Sequence, residues 1–183
     1  MDQRFNKFPY YAIFSNMNAG QLFIITAPSG TGKTTLIKRA LAEINNLAVS
    51  ISYTTRKKRP SEKNGKSYHF VSQEEFKEKV KVGAFAEYAD VFGHLYGTAW
   101  QDLVDLRAKQ VDVILELDYQ GALSIQKLMP EVISIFILPP DFDTLKERLD
   151  KRNEDNKKSI KVRLDRACDE MRMAGEFDFI IFN

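Results

Sequence analysis

The run QLFIITAPSGTGKTTLIKRALAEI (residues 21–44) limits the possible folds more than any other stretch of the chain. Residues 21–26 are short, apolar and β-branched, and they stop at Ala27-Pro28-Ser29-Gly30, a turn sequence. Beyond Thr34, apolar residues return at Leu36, Ile37, Ala40, Leu41 and Ile44, the spacing of a helix stripe. The predicted order is a buried strand, a glycine loop and a helix. Gly30 and Gly32 let backbone N–H groups turn inward around an anion. The helix adds the positive end of its dipole at the same place. The loop misses the strict Walker A pattern by one residue, Ala27 for Gly, but keeps the parts that act on phosphate. Lys33 is a point charge for β- and γ-phosphates, and the Thr34 hydroxyl is a ligand for Mg²⁺. Ala27, Pro28, Ser29, Gly30, Thr31, Gly32, Lys33, Thr34 and Thr35 therefore form the candidate ATP-phosphate site.

Strand and helix signals alternate beyond this point. AVSISY (48–53), VDVILELD (111–118), VISIFIL (132–138) and FDFIIF (177–182) read as strands. Helical patterns cover Leu103–Lys109, Leu123–Leu128 and Phe142–Lys151. That alternation predicts a parallel sheet covered by helices. Residues 54–100 break the rhythm with a basic loop, an Asn64-Gly65 turn and the strand-like SYHFV. The capping box Ser72-Gln73-Glu74-Glu75 then announces a helix, and an aromatic stretch, GAFAEYADVFGHLYGT, follows. The segment reads as a small insertion. Residues 152–160 are polar without periodicity and are expected to be a mobile loop between helices.

The composition narrows the function classes. Lys and Arg number 27 against 25 Asp and Glu, a net charge of +2, so nothing in the totals favours nucleic acid as a partner. No run of about 18 apolar residues exists to span a membrane. The one cysteine, Cys168, reads as a small buried filler in a helix and fits a reducing, cytoplasmic setting. Residues 1–16 lack the apolar core of a signal peptide. They are expected to be a non-catalytic extension ahead of a domain spanning 17–183.

The acceptor of the phosphoryl group is suggested by the middle of the chain. SISYTTRKKRPSEKNGKSYHFVS, FAEYADVFGHLYGT, LELDYQG and LPPDFDTLKERLDKR follow one another in order after the glycine loop. Together these motifs resemble those of guanylate kinases, from about residue 21 to 183. The resemblance implies an α/β fold: a P-loop NTPase-type parallel sheet covered by helices, with an inserted small α+β GMP-binding subdomain and a lid. The core would be 21–53 and 101–183, the insertion about 54–100 and the lid about 152–160. It also implies the reaction ATP + GMP = ADP + GDP, with ATP and GMP as partners and Mg²⁺ as cofactor.

The residues make chemical sense in those roles. A nucleoside monophosphate carries about two negative charges. Arg56 and Arg59 can supply planar forks to its oxygens, and Tyr68 and Tyr96 can add hydroxyls. Guanine presents N1–H and N2–H₂ side by side, a pair that one carboxylate accepts and that adenine lacks. By resemblance Glu87 is that carboxylate, with Ser52, Asp118 and Thr98 at other GMP-contacting positions. Glu116 and Asp118 end an apolar strand, where α/β sheets place ligands, and either could orient Mg²⁺ through water.

Direct in-line transfer depends on positioning and on cations around the migrating group. Arg148, Arg152 and Arg163 match lid and core arginines that meet the ATP phosphates, so Lys33, Arg56, Arg148 and Arg163 are the expected catalytic cations. Arg148 and Arg152 are i,i+4 neighbours and can share a helix face. The lid departs from the family pattern in continuing Asn153-Glu154-Asp155 after Arg152. A guanylate-kinase-like protein-binding module is disfavoured, because such modules usually lose the phosphate machinery. A sugar-phosphate kinase would leave Glu87 with no guanine to read. A GTPase would need an Asn-Lys-x-Asp motif, which does not occur.

Overall fold

The computed structural model describes residues 19–91, 93–151 and 157–183, with side chains described outside 151–162. The elements run in the order β1 (Leu22–Thr26), α1 (Lys33–Glu43), β2 (Leu47–Val49), β3 (Tyr53–Thr54), β4 (His69–Phe70) and α2 (Gln73–Lys81). Next come β5 (Phe85–Val91), β6 (His94–Ala99), α3 (Trp100–Ala108), β7 (Asp112–Glu116), α4 (Tyr119–Leu128) and β8 (Ile133–Leu138). Helices α5 (Phe142–Lys151) and α6 (Lys157–Arg172), a 3₁₀ turn (Met173–Glu176) and β9 (Phe179–Phe182) complete the chain. Parallel pairing joins β2 to β7, and β1 to β8 to β9, while a four-stranded sheet has the order β4-β3-β6-β5. The α/β architecture with a parallel sheet flanked by helices is the one expected.

The internal contacts divide the described residues into two compact units. One comprises the residues up to Leu22 together with Asn46–Leu115. It holds the parallel pair β2–β7 and the smaller sheet. In that sheet β3 pairs parallel with β4 and antiparallel with β6, and β5 and β6 form an antiparallel hairpin. Phe76, Phe85 and Ala99 are its buried core, with the Phe76 and Phe85 rings stacked at 4.6 Å. Gly97 is needed there, since a Cβ would come within 3.0 Å of Phe76 and 3.1 Å of Phe85. Helix α2 starts at the expected capping box: the Ser72 hydroxyl accepts from the Glu75 N–H, and the Glu75 carboxylate accepts from the Ser72 N–H.

The other unit comprises Phe23–Asn45 and Glu116–Asn183. Strand β1 pairs parallel with β8, and β8 with β9. Buried Leu145, Leu149 and Ala167 join α5 to α6.

Three local expectations are corrected. AVSISY is not one strand: β2 ends at Val49, and β3 starts at Tyr53 in the other sheet. The Ser50 N–H still bonds the Ile114 carbonyl at 2.9 Å, while the Ser52 carbonyl already accepts from His69 at 2.9 Å, so the change of sheet falls between them. The α1 stripe is narrower than its spacing suggests, with Ile37 buried but Leu41 and Ile44 exposed. Of the expected loop 152–160, residues 157–160 begin α6; the remainder, with Arg152, lies outside the described residues, as does the 1–16 extension. Cys168 is a free, half-buried thiol on α6.

Candidate active site

The glycine loop leaves β1 and enters α1 through Gly32, which has φ +90° and serves as the N-cap without a side-chain cap bond. Gly30 has φ +95°. Only glycine holds both conformations without strain. The first turn of α1 carries no acidic residue of its own. The loop is pinned from outside. The Pro28 carbonyl accepts from the Thr31 hydroxyl at 3.0 Å, and the Thr31 carbonyl accepts from Arg148 Nη1 at 3.2 Å and Asn183 Nδ2 at 2.7 Å. A trans peptide sets its N–H opposite its C=O, so the two bonds to the Thr31 carbonyl also fix the direction of the Gly32 N–H.

At the mouth of this loop the Thr34 hydroxyl donates to Glu116 Oε1 at 3.1 Å, and Lys33 Nζ lies 3.8 Å from the same oxygen. Lys33 Nζ also donates to the Leu117 carbonyl at 3.1 Å. The end of β7 thus holds both functional side chains of the loop. This separates the two carboxylates that the sequence left open. Glu116 faces Thr34, whereas Asp118 is the N-cap of α4, its Oδ1 accepting from the Gly121 N–H at 2.9 Å. Asp118 Oδ2 lies 4.0 Å from Arg166 Nη2, and Arg166 Nε donates to Glu170 at 3.0 Å. Burial pushes the Glu170 carboxyl above its ordinary range, against the pull of Arg166. Arg163 is half-buried on the same helix. Arg148 reaches the loop, bonding the Asn183 carbonyl at 2.8 Å as well as Thr31.

The second cluster lies in the other unit. Arg56 stands at the end of β3, and its Nε donates to the Tyr96 hydroxyl oxygen at 3.1 Å. Its terminal nitrogens hold Glu62 at 3.1 and 2.6 Å. The guanidinium lies 5.5 Å from the Tyr68 ring centroid, and the Tyr68 and Tyr96 rings meet edge-on at 5.8 Å. The bond to Glu62 raises the Arg56 pKa further, and the same bond holds the Glu62 carboxyl below its usual range. Arg59 is exposed and joins through its backbone N–H, which donates to Glu62 at 2.7 Å.

Farther along the hairpin, Glu87 on β5 stands opposite Thr98 on β6, just past a bulge at Phe85/Glu87. Glu87 is 8% exposed and accepts from the Thr98 hydroxyl at 2.7 Å. Ser52 is half-buried where the chain passes between sheets.

Residues 19–183 match the family model described as guanylate kinase. The chain belongs to the guanylate kinase family. A guanylate kinase of Neisseria gonorrhoeae is 51% identical over 164 residues, covering 90% of this chain and 80% of that protein. A guanylate kinase of Hahella chejuensis is 48% identical over 167 residues, covering 91% and 80%. The crystal structure of guanylate kinase from Anaplasma phagocytophilum superimposes with a TM-score of 0.72 at 33% identity, over 91% of this chain and 78% of that one.

Within this guanylate kinase fold, sequence reading missed Glu62, Arg166 and Glu170, and it had not placed Asn183 on the glycine loop. Glu62 did leave a signal: it is the sole acidic residue between Arg56 and Lys66 in a strongly basic loop.

Proposed function

We propose that this chain transfers the terminal phosphoryl group of ATP to GMP, giving ADP and GDP. The observation that carries the reading is the pairing of two specialised half-sites in one chain. One is a glycine loop with Lys33 and Thr34 held at a strand-end carboxylate. The other combines an Arg56–Tyr96 phosphate grip with a buried Glu87–Thr98 pair. A GMP phosphate oxygen attacks the γ-phosphorus in line, the bond to the β,γ-bridging oxygen breaks, and ADP leaves with that electron pair. The acceptor is already an oxyanion, so no general base is required.

Lys33, Arg148 and Arg163 are assigned to the migrating charge, with Arg152 as a further ATP contact, and Arg56, Arg59, Tyr68 and Tyr96 to the GMP phosphate. Glu87 reads the guanine N–H groups, with Thr98, Ser52 and Asp118 as its companions. The Thr34 hydroxyl beside Glu116 is an all-oxygen donor set, which suits Mg²⁺. Thr34 would bind it directly and Glu116 through water, and the ion would neutralise charge on the β- and γ-phosphates. No helix among the described residues is long and apolar enough to cross a membrane. A cytoplasmic setting, supplied with both nucleotides, goes with this reading; nucleic acid has no part in it.

The test is ADP release from ATP and Mg²⁺ with GMP, AMP, UMP or dTMP as the only acceptor, beside a Lys33→Ala control. Turnover with GMP, lost in the control, is expected. Turnover with another acceptor and not GMP would discard the reading.

A further inference from the structure

Glu62 has no part in the chemistry described so far, yet it is the hub of the acceptor cluster. Its carboxylate accepts from Arg56 Nη1 at 3.1 Å, Arg56 Nη2 at 2.6 Å and the Arg59 N–H at 2.7 Å. Its own N–H donates to the Arg59 carbonyl at 3.1 Å, so side chain and backbone together close the turn 59–62. A carboxylate held by three donors and built into its own turn is a fixture of the loop. It is not a loose stand-in for a ligand's phosphate.

The consequence falls on Arg56. A guanidinium has five N–H donors. Glu62 takes one from each terminal nitrogen, the Lys57 carbonyl takes one from Nη1 at 2.8 Å, and the Tyr96 oxygen takes the one on Nε. Among the described residues, one N–H of Nη2 is left, on the edge shared with Nε. Because the Tyr96 oxygen accepts from Arg56, its own proton is kept for another acceptor. The unspent N–H and the unspent O–H therefore lie side by side. The Tyr68 and Phe70 rings, 5.5 and 5.7 Å from the guanidinium carbon, restrict the remaining freedom of the fork.

We propose that Glu62 is the positioning residue of the acceptor-phosphate grip, orienting Arg56 so that this N–H and the Tyr96 hydroxyl proton meet one nucleoside monophosphate phosphate. The inference rests on the acceptor reading given above. It adds that the strength of the grip is set by a residue that touches no substrate.

The experiment compares equilibrium binding of GMP and of guanosine to the whole chain. The variants are Glu62→Gln, which keeps the shape and removes the charge, and Glu62→Asp, which keeps the charge. Glu62→Gln should weaken GMP about tenfold, the scale of one charged hydrogen bond. Guanosine, which has no phosphate, should bind as it does to the wild type. Glu62→Asp should lose less. In an Arg56→Lys background, Glu62→Gln should change GMP affinity less than about twofold, because the oriented fork is already gone. Unchanged or tighter GMP binding in Glu62→Gln would overturn the proposal. So would an equal loss for GMP and guanosine in both variants, which would mark Glu62 as a merely structural residue. A wild type that binds no GMP would overturn the acceptor reading, and this inference with it; wild-type binding with an unaffected Glu62→Gln would overturn this inference alone.

Discussion

Replacing Glu87 by Gln changes one atom of a buried side chain and bears directly on base choice. Glu87 is 8% exposed, and its Oε1 takes the Thr98 hydroxyl at 2.7 Å. Gln can keep that bond through its own carbonyl oxygen, so the hairpin register Glu87↔Thr98 should survive. What changes is the second position, where a carboxylate oxygen gives way to an NH₂ donor that, in the proposed role, would meet the guanine N–H groups. The loss combines a hydrogen bond to a charged group, ~1.5–3 kcal/mol, with a buried donor left unpaired, ~1–3 kcal/mol. Taking ~3–4 kcal/mol, kcat/KM for GMP should fall by a factor of about 10²–10³. AMP should gain, because the carboxylate that in this role would repel its N1 lone pair is gone, so the GMP-over-AMP ratio should fall by at least about 10². Steady-state rates with each acceptor at fixed ATP measure both numbers. A ratio within about threefold of wild type, or an equal fall for both acceptors, would refute the assignment of Glu87.

Three further outcomes are expected. Gly32→Ala places a Cβ 2.6 Å from Asn183 Nδ2 at φ +90°, so KM for ATP should rise at least about tenfold while KM for GMP changes less than about twofold. Ser134→Ala removes a buried hydroxyl that donates to Asp178 at 2.7 Å and accepts from Gln126 at 2.8 Å; at ~1–3 kcal/mol, Tm should drop by roughly 2–12 °C in a thermal melt. Because Arg56 holds the folded Glu62 carboxyl below its unfolded value, the stability Glu62 contributes is present above the ordinary carboxylate range and is lost as pH falls through the depressed value. The Tm gap between wild type and Glu62→Gln should therefore be constant near neutrality and close in acid.

Legibility followed sequence distance. The glycine loop could be read because strand, turn and helix cap all lie within residues 21–44, and the capping box at Ser72 was equally local. Resemblance supplied the identities of Arg56, Tyr96 and Glu87, but not their contacts. The Arg56–Tyr96 bond spans 40 residues and the Thr34–Glu116 bond 82, distances over which periodicity carries no information. The sequence leaves Glu116 and Asp118 undivided for a related reason. The two are separated by one residue, so only the backbone path past the end of β7 decides which meets Thr34 and which caps α4. Apolar pattern also misled in AVSISY, where continuous strand character concealed a passage between two sheets. In β9 the residues read correctly as a strand, yet Phe179, Ile180, Ile181 and Phe182 are all exposed. Strand propensity says nothing about what covers a face.

Direct phosphoryl transfer from ATP to GMP is tested by following the label from ATP radioactive at the γ-phosphate. With GMP present, the label should appear in GDP as its β-phosphate. None should appear on the protein, and little as inorganic phosphate. Label in inorganic phosphate regardless of GMP, or retained on the protein, would exclude direct transfer between the two nucleotides.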